Sequence, residues 1–171
     1  QSDVLEWWYD MYDRLEAIPL WEHGCPNYHS EYGQRQPSLA ILPHKGPTRP
    51  KGVVLVSAGG GFAYKSHHEG ACVAECFSKK GYLGAVLDYR VLPYTQYDIL
   101  ADVNRAVRLL KSLAPKYGYH ENHIALLGFS AGGQASLLGG THFDSGNPDS
   151  EDTTEHYSSR PGAVISCYSS I

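Results

Sequence analysis

Hydrophobic residues follow two alternating patterns along the chain. Continuous apolar runs are typical of strands buried on both faces of a sheet, and they cover residues 38–43, 52–56, 82–88, 124–127 and 163–168. Between these runs, apolar residues recur every three or four positions, which predicts helices over residues 69–79, 99–117 and 131–138. The alternation of strand and helix predicts an α/β fold, with three α/β/α layers and a mostly parallel sheet.

The N-terminal part of the chain departs from this alternation. Residues 2–18 carry aromatic and aliphatic side chains at helical spacing, and Pro19 ends the pattern. Residues 20–35 show no period and are predicted to form a loop. We expect the Trp and Tyr side chains of residues 2–18 to pack on the rest of the protein, and stacking on a sugar ring is the alternative.

Composition and charge narrow the class of protein. A chain of 171 residues with 42% hydrophobic and 19% charged residues predicts one soluble domain over residues 1–171. We expect an arm and loop at 1–35 and a sheet-and-helix core at 36–171. The 14 basic and 18 acidic residues are spread without blocks and give a net charge of −4, which argues against nucleic acid or a membrane as partner. No apolar run approaches the roughly 20 residues of a membrane span.

The spacing of the four cysteines bears on whether the protein resides in a reducing or an oxidising compartment. They form no C-x-x-C pair, and Cys72 and Cys76 are spaced to share one helix face as small buried hydrophobes. This usage favours a reducing, cytoplasmic compartment over an oxidising one. The localisation itself is left unassigned because the chain starts at Gln1 rather than at methionine.

Ser130 lies in a Gly-x-Ser-x-Gly pattern with Gly128 and Gly132. Four apolar residues precede the pattern and a helix of small residues follows it, which is the strand-turn-helix setting of a nucleophile elbow. Glycines two positions on either side of the serine leave room for the sharp turn. The sequence therefore predicts Ser130 as a catalytic nucleophile, and a serine that only caps the helix is the alternative.

A glycine-rich loop follows the strand at residues 52–56. Its three consecutive glycines, Gly59, Gly60 and Gly61, leave backbone N–H groups uncovered by side chains. We expect Gly60 and Gly61, together with the Ala131 amide, to form an oxyanion hole. A phosphate-binding loop is the alternative, but the lysine and hydroxyl of a P-loop are missing.

These motifs, taken in order, resemble the α/β-hydrolase family. The resemblance is to its small esterases related to hormone-sensitive lipase and acetyl xylan esterase, and it rests on LWEHGCPN, AGGGF, LDYRVLPY, DVNRAVRLLK, GFSAGG and SSRPGAVISCYSSI. Ala58 stands where the family has the first histidine of a His-Gly-Gly-Gly loop. The resemblance implies a serine carboxylic ester hydrolase that acts on small acyl esters, such as acetyl groups on a carbohydrate, without cofactor or metal.

Within the LDYRVLPY motif, polar residues come directly after an apolar strand. Asp88, Tyr89 and Arg90 are expected to hold structure near the site. For Arg90 we expect a buried ion pair, with contact to substrate as the alternative.

The catalytic acid and histidine are not found in this chain. In this fold both follow the serine, acid first, after the strand that comes next in the chain. His67 and His68 precede the serine, and His142 and His156 lie in the polar stretch at 141–160. We therefore expect the chain to be an N-terminal portion, with the missing segment or a second chain completing the triad and covering the open edge of the strand at 163–168.

Two other functions stay open. A serine peptidase or amidase of the same fold would use the same elbow. A catalytically inactive fragment would instead serve as a binding module. The partner expected for the enzyme is a small-molecule ester.

Overall fold

The protein folds around a six-stranded sheet with helices on both faces. The computed structural model describes residues 2–169. The strands are β1 (Glu16–Pro19), β2 (Ser38–Ile41), β3 (Val53–Ser57), β4 (Leu83–Asp88), β5 (Ile124–Phe129) and β6 (Ala163–Cys167). The helices are α1 (Ser2–Tyr12), α2 (Ala71–Ser78), α3 (Gln96–Tyr117) and α4 (Ala131–Thr141). Among the helices of residues 2–169, none has the length and hydrophobicity of a membrane-spanning segment.

The sheet has the order β1-β2-β4-β3-β5-β6. Its last four strands in this order run parallel, so that Leu55 of β3 pairs with Ala85 of β4 on one side and Leu126 of β5 on the other. β1 and β2 run antiparallel to their neighbours. The predicted α/β fold with a mostly parallel sheet is confirmed. The carboxyl ends of β3, β4, β5 and β6 therefore meet at one edge of the sheet, where ligands bind in open α/β folds.

Two hydrophobic cores lie on opposite faces of the sheet. Alternate residues of β3 divide between them, with Val53 and Leu55 facing α3, and Val54 and Val56 facing α1 and α2. α3 contributes an inner row of fully buried residues: Val103, Ala106, Val107 and Leu110. Because β3 and β4 are covered on both faces, these central strands are continuous apolar runs rather than alternating ones.

The prediction of one helix over residues 2–18 is wrong beyond Tyr12. α1 ends there, and residues 16–19 form the edge strand β1, which pairs with β2. This pairing is made with residues 19 to 25 positions away, so no local periodicity indicates it. Pro19 is tolerated because it lies on an edge strand, where a missing N–H leaves no ladder partner unsatisfied.

The prediction that Cys72 and Cys76 are buried is also wrong. Both are exposed on α2, whose buried face carries Ala74 and Ser78 instead. This face approaches β4 closely, because a β-carbon on Gly84 would lie 2.2 Å from the Ala74 carbonyl oxygen. Small side chains and a glycine thus decide which face of α2 meets the sheet.

β6 is an outer strand of the sheet formed by the described residues. It pairs with β5 on one side, and Ala163, Ile165 and Ser166 are exposed. An apolar parallel strand with an open edge is unusual in a folded protein. The exposed side of this strand is the one that the sequence predicted to need a cover.

Candidate active site

Ser130 occupies the single-residue turn between β5 and α4. Its backbone has φ 51° and ψ −115°, in a region that residues with a side chain avoid at a cost of about 1–3 kcal/mol. The turn is held by the Ser130 N–H, which donates to the Cys167 carbonyl at 2.9 Å, and by the Ser130 carbonyl, which accepts from the Gln134 N–H at 3.0 Å. The side chain is partly exposed. A serine that only caps a helix accepts a hydrogen bond from a backbone N–H of the first turn. Within residues 2–169 the Ser130 side chain makes no such bond with α4.

The two glycines of the motif are required by backbone packing. A β-carbon on Gly128 would lie 2.1 Å from the Gly132 carbonyl oxygen. A β-carbon on Gly132 would lie 2.1 Å from the carbonyl oxygen of Ser57, the last residue of β3. Neither contact leaves room for a side chain, because the atoms approached belong to the main chain. The glycines thus bring β5, α4 and the loop after β3 together at Ser130.

The glycine-rich loop lies directly against the serine. A β-carbon on Gly59 would lie 3.2 Å from the Ser130 β-carbon, so a side chain here would crowd the nucleophile. Gly60 and Gly61 follow with φ 145° and 64°, left-handed conformations that glycine adopts without strain. No described residue accepts a hydrogen bond from the amides of Gly60, Gly61 or Ala131. These three N–H groups are available to a ligand, and their oxyanion role is still a prediction.

Glu69 joins this site, although no sequence motif singled it out. It lies in a short 3-10 turn, His67–Glu69, and its Oε1 accepts a hydrogen bond from the Gly59 N–H at 3.1 Å. Its Oε2 accepts from the Tyr168 hydroxyl, which raises the pKa of Tyr168 to about 12. The Gly59 amide is therefore occupied, in contrast to those of Gly60 and Gly61.

A buried lysine fastens the far end of the glycine-rich loop. Lys65 is 4% exposed, and its ammonium lies 2.7 Å from Asp88 Oδ1 and donates to the Tyr89 carbonyl at 2.7 Å. The Tyr89 hydroxyl donates to the Ala58 carbonyl, and Trp8 Nε1 donates to Asp88 Oδ1 at 3.0 Å. The loop, the end of β4 and α1 are thereby connected through one buried carboxylate.

Arg90 lies in a buried ion pair, which confirms the structural role predicted for it. Its Nη2 lies 2.8 Å from Asp102 Oδ1, and Asp102 on α3 is fully buried. The guanidinium also donates to the carbonyls of Pro26 and Asp98, at 2.9 and 3.1 Å. Its donors are used within the protein, so Arg90 is unavailable to a substrate.

None of the four histidines considered for catalysis bonds Ser130 within the described residues. His67 packs against Trp7 and His68, with ring centroids 5.6 and 3.8 Å away. His142 bonds the Thr141 hydroxyl, and His156 bonds the Ser150 carbonyl. Over residues 2–169 no group of three or more His, Cys, Asp or Glu side chains is placed to hold a metal ion.

Comparison with known proteins places these features in a family. The BD-FAE family matches residues 39–170, well over half of the chain. Endo-1,4-beta-xylanase B of Butyrivibrio fibrisolvens is 31% identical over 157 residues, covering 87% of this chain and 24% of that protein.

Solved structures agree. The acetyl ester-xyloside bifunctional hydrolase of Caldicellulosiruptor lactoaceticus superposes with a TM-score of 0.84 at 35% identity, over 90% of this chain and 57% of that one. MGS-M1, an alpha/beta hydrolase enzyme from a deep-sea metagenome library, has a TM-score of 0.66 at 23% identity, over 92% of this chain and 57% of that one. The chain thus spans less than two thirds of the length of these proteins. The chain therefore belongs to the BD-FAE family and has the α/β-hydrolase fold.

Proposed function

We propose that the protein is a carboxylic ester hydrolase that forms an acyl-enzyme on Ser130. The observation that carries this proposal is the backbone of Ser130, which holds a positive φ of 51° at a strand-to-helix turn, against a glycine-rich loop. A non-glycine residue is held in such a conformation when the surrounding fold over-determines it, as at a functional site. The names of the similar proteins, which include an acetyl ester hydrolase, support the same reaction.

The site suits two successive acyl transfers. Ser130 Oγ attacks the ester carbonyl carbon, its proton passes to a base, and the carbonyl oxygen becomes an oxyanion. The amides of Gly60, Gly61 and Ala131 are the proposed donors to this oxyanion, each contributing about 3 kcal/mol of barrier lowering. The alcohol leaves with the proton. Water then attacks the acyl group, which departs as the carboxylic acid and restores Ser130.

A serine hydroxyl needs a base, and among residues 2–169 no histidine is hydrogen-bonded to Ser130. We propose that the acid and the histidine come from polypeptide outside residues 1–171, either a downstream segment or a second chain. Two observations support this: β6 presents an exposed edge near Ser130, and the similar structures are longer than this chain. Residues 1–171 are then part of a single α/β-hydrolase domain, whose sheet already begins with β1 at Glu16–Pro19.

The proposed substrates are small acyl esters, acetyl esters above all, carried by a carbohydrate. This assignment rests on the acetyl ester-xyloside hydrolase and the xylanase to which the chain is similar. The Ser130 side chain is partly exposed, and Gly60 and Gly61 have no side chains. Both features are compatible with a small acyl group.

A binding module without catalysis is the second candidate function. It is favoured by one observation, the lack of a histidine bonded to Ser130 among residues 2–169. In that case the elbow is a remnant of the fold, and ester turnover is absent in every form of the protein.

A fluorophosphonate probe, which phosphonylates activated serines, tests both candidates. We expect Ser130 to label in the polypeptide that carries the downstream segment and to label weakly or not at all in residues 1–171. Ser130→Ala should abolish labelling, whereas the exposed control Ser145→Ala should leave it unchanged. Labelling of neither form contradicts the enzyme and favours the binding module. Comparing p-nitrophenyl acetate with acetyl p-nitroanilide separates an esterase from an amidase.

A further inference from the structure

An exposed aromatic ring on α1 forms one wall of an open cavity beside the site. Trp7 is 52% exposed, and its ring lies 5.6 Å from that of His67, centroid to centroid. These rings line a cavity of about 230 Å³ together with Asp10, Met11 and Arg14. Those five residues are called the Trp7 shelf below.

Trp7 is not needed for packing. The neighbouring Trp8 is fully buried and bonds Asp88, and Tyr12 is buried beneath it. These two side chains hold α1 on the protein, and the Trp7 ring, one position away on the helix, stays about half exposed. A β-carbon on Gly70 would lie 2.5 Å from the Met11 methyl group. Met11, the floor of the shelf, therefore packs closely on the residue that follows the His67–Glu69 turn.

The polar groups of the Trp7 shelf are free to bind a ligand. The carboxylate of Asp10 and the guanidinium of Arg14 form no hydrogen bond or ion pair with any described residue, even though their spacing on the chain would allow one. An aromatic face flanked by one free acceptor and one free donor group matches the apolar face and the hydroxyl groups of a pyranose ring. The carboxylate disfavours phosphate and other anions.

The position of the shelf links it to catalysis. His67 begins the 3-10 turn that ends in Glu69, and Glu69 bonds the Gly59 amide next to Ser130. The shelf and the serine are therefore separated by one turn of chain and one glycine. A ligand that occupies both must bridge that turn.

We infer that the Trp7 shelf is a carbohydrate subsite that stacks one pyranose ring of an oligosaccharide whose ester group lies at Ser130. This inference rests on the proposed function for the role of Ser130, but sugar binding at the shelf is independent of ester chemistry. The shelf favours oligosaccharide esters over simple alkyl esters.

Binding of unacetylated β-1,4-xylotetraose, followed by calorimetry and by Trp fluorescence, tests the subsite without any ester. Trp7→Ala should weaken binding about tenfold or more, and Trp7→Phe should recover part of the loss. Tyr97→Ala removes an aromatic ring that is 84% exposed on α3 and serves as the matched control with unchanged binding. Circular dichroism confirms that each variant is folded.

Turnover separates this inference from the proposed function. In the polypeptide that turns over, Trp7→Ala should lower kcat/KM for acetylated xylotetraose far more than for p-nitrophenyl acetate, and Tyr97→Ala should change neither. Equal xylotetraose binding by wild type and Trp7→Ala, or no binding by wild type, overturns the subsite. Loss of all ester turnover with xylotetraose binding intact overturns the proposed function alone.

Discussion

The Glu69 carboxylate accepts a hydrogen bond from the Gly59 amide at 3.1 Å and another from the Tyr168 hydroxyl. These two bonds connect the glycine-rich loop to the turn after β6, on either side of Ser130. By occupying the Gly59 amide, Glu69 also fixes the start of the loop from which the Gly60 and Gly61 amides are presented.

Replacing Glu69 should slow acylation because it alters the glycine-rich loop and leaves Ser130 itself unchanged. Glu69→Ala leaves the Gly59 amide without its acceptor, and we expect kcat for p-nitrophenyl acetate to fall about tenfold as the proposed oxyanion donors lose their fixed position. Glu69→Gln keeps an acceptor oxygen and should stay near wild type. Tyr168→Phe, which retains the Gly59 bond, is the matched control. Equal kcat values for the Ala and Gln variants would contradict this positioning role.

The elbow glycine Gly132 should tolerate no side chain. Because an added β-carbon meets the Ser57 carbonyl oxygen at 2.1 Å, Gly132→Ala forces α4 away from β3 and should cost about 3 kcal/mol of unfolding free energy. Gly33→Ala provides the control, since Gly33 has φ 72° but open space around it. Backbone strain alone should cost that variant about 1 kcal/mol. Urea denaturation measures both, and equal losses would rule out the steric explanation.

Lys65 should contribute strongly to stability because it neutralises a buried carboxylate. Lys65→Met leaves the Asp88 charge, 3% exposed, with only neutral donors, and we expect a loss of about 3 kcal/mol. Adding Asp88→Asn to Lys65→Met should restore part of it. Lys79→Met is the control, because its surface pair with Glu75 should be worth about 0.5 kcal/mol or less. Chemical denaturation that finds the two lysines equivalent would contradict the buried pair.

The ion pair between Asp144 and Arg108 should make stability depend on acid pH. The hydrogen bond from Arg108, at 2.8 Å, holds the pKa of Asp144 below its usual range. A carboxyl whose pKa is lowered by folding stabilises the folded state above about pH 4 and loses this contribution as the pH falls through the folded pKa.

Asp144→Asn tests this linkage. The side chain is 62% exposed, so solvent screening limits the expected cost at pH 7 to about 0.5 kcal/mol. The difference from wild type should shrink as the pH falls below about 4 and vanish once the pH is below the lowered pKa of Asp144 in the folded state. Thermal unfolding across this range measures it, and a difference independent of pH would show that the charge of Asp144 is not responsible.

Local signals in the sequence predicted most of the fold and the centre of the site. The elbow around Ser130 is readable because its strand, glycines and helix are contiguous, and the close backbone contacts of Gly128 and Gly132 account for the motif. The long helix α3 was predicted from its periodicity, but its start was placed three residues late. Thr95 and Asp98 form a capping box at its true start, a local signal that sequence analysis can use.

The wrong predictions concern features that are decided by contacts between residues far apart in the sequence. Residues 16–19 carry apolar positions compatible with either helix or strand, and pairing with β2 decides between them. Helical spacing groups Cys72 with Cys76 but does not say which face of α2 meets the sheet, and Gly84 on β4 settles that question. Glu69 reaches Gly59 across ten residues through a short irregular turn, for which no motif exists.

The hydrogen bond from the Ser130 N–H to the Cys167 carbonyl makes the covering of β6 measurable by hydrogen exchange. It joins the main chain of the proposed nucleophile to the outermost strand, so exchange of that single amide proton with deuterated solvent reports how well β6 is shielded. A further stretch of polypeptide or another molecule that covers this strand should slow the exchange of the Ser130 amide proton. The amide of Ser130 is thus a built-in probe of how complete its surroundings are.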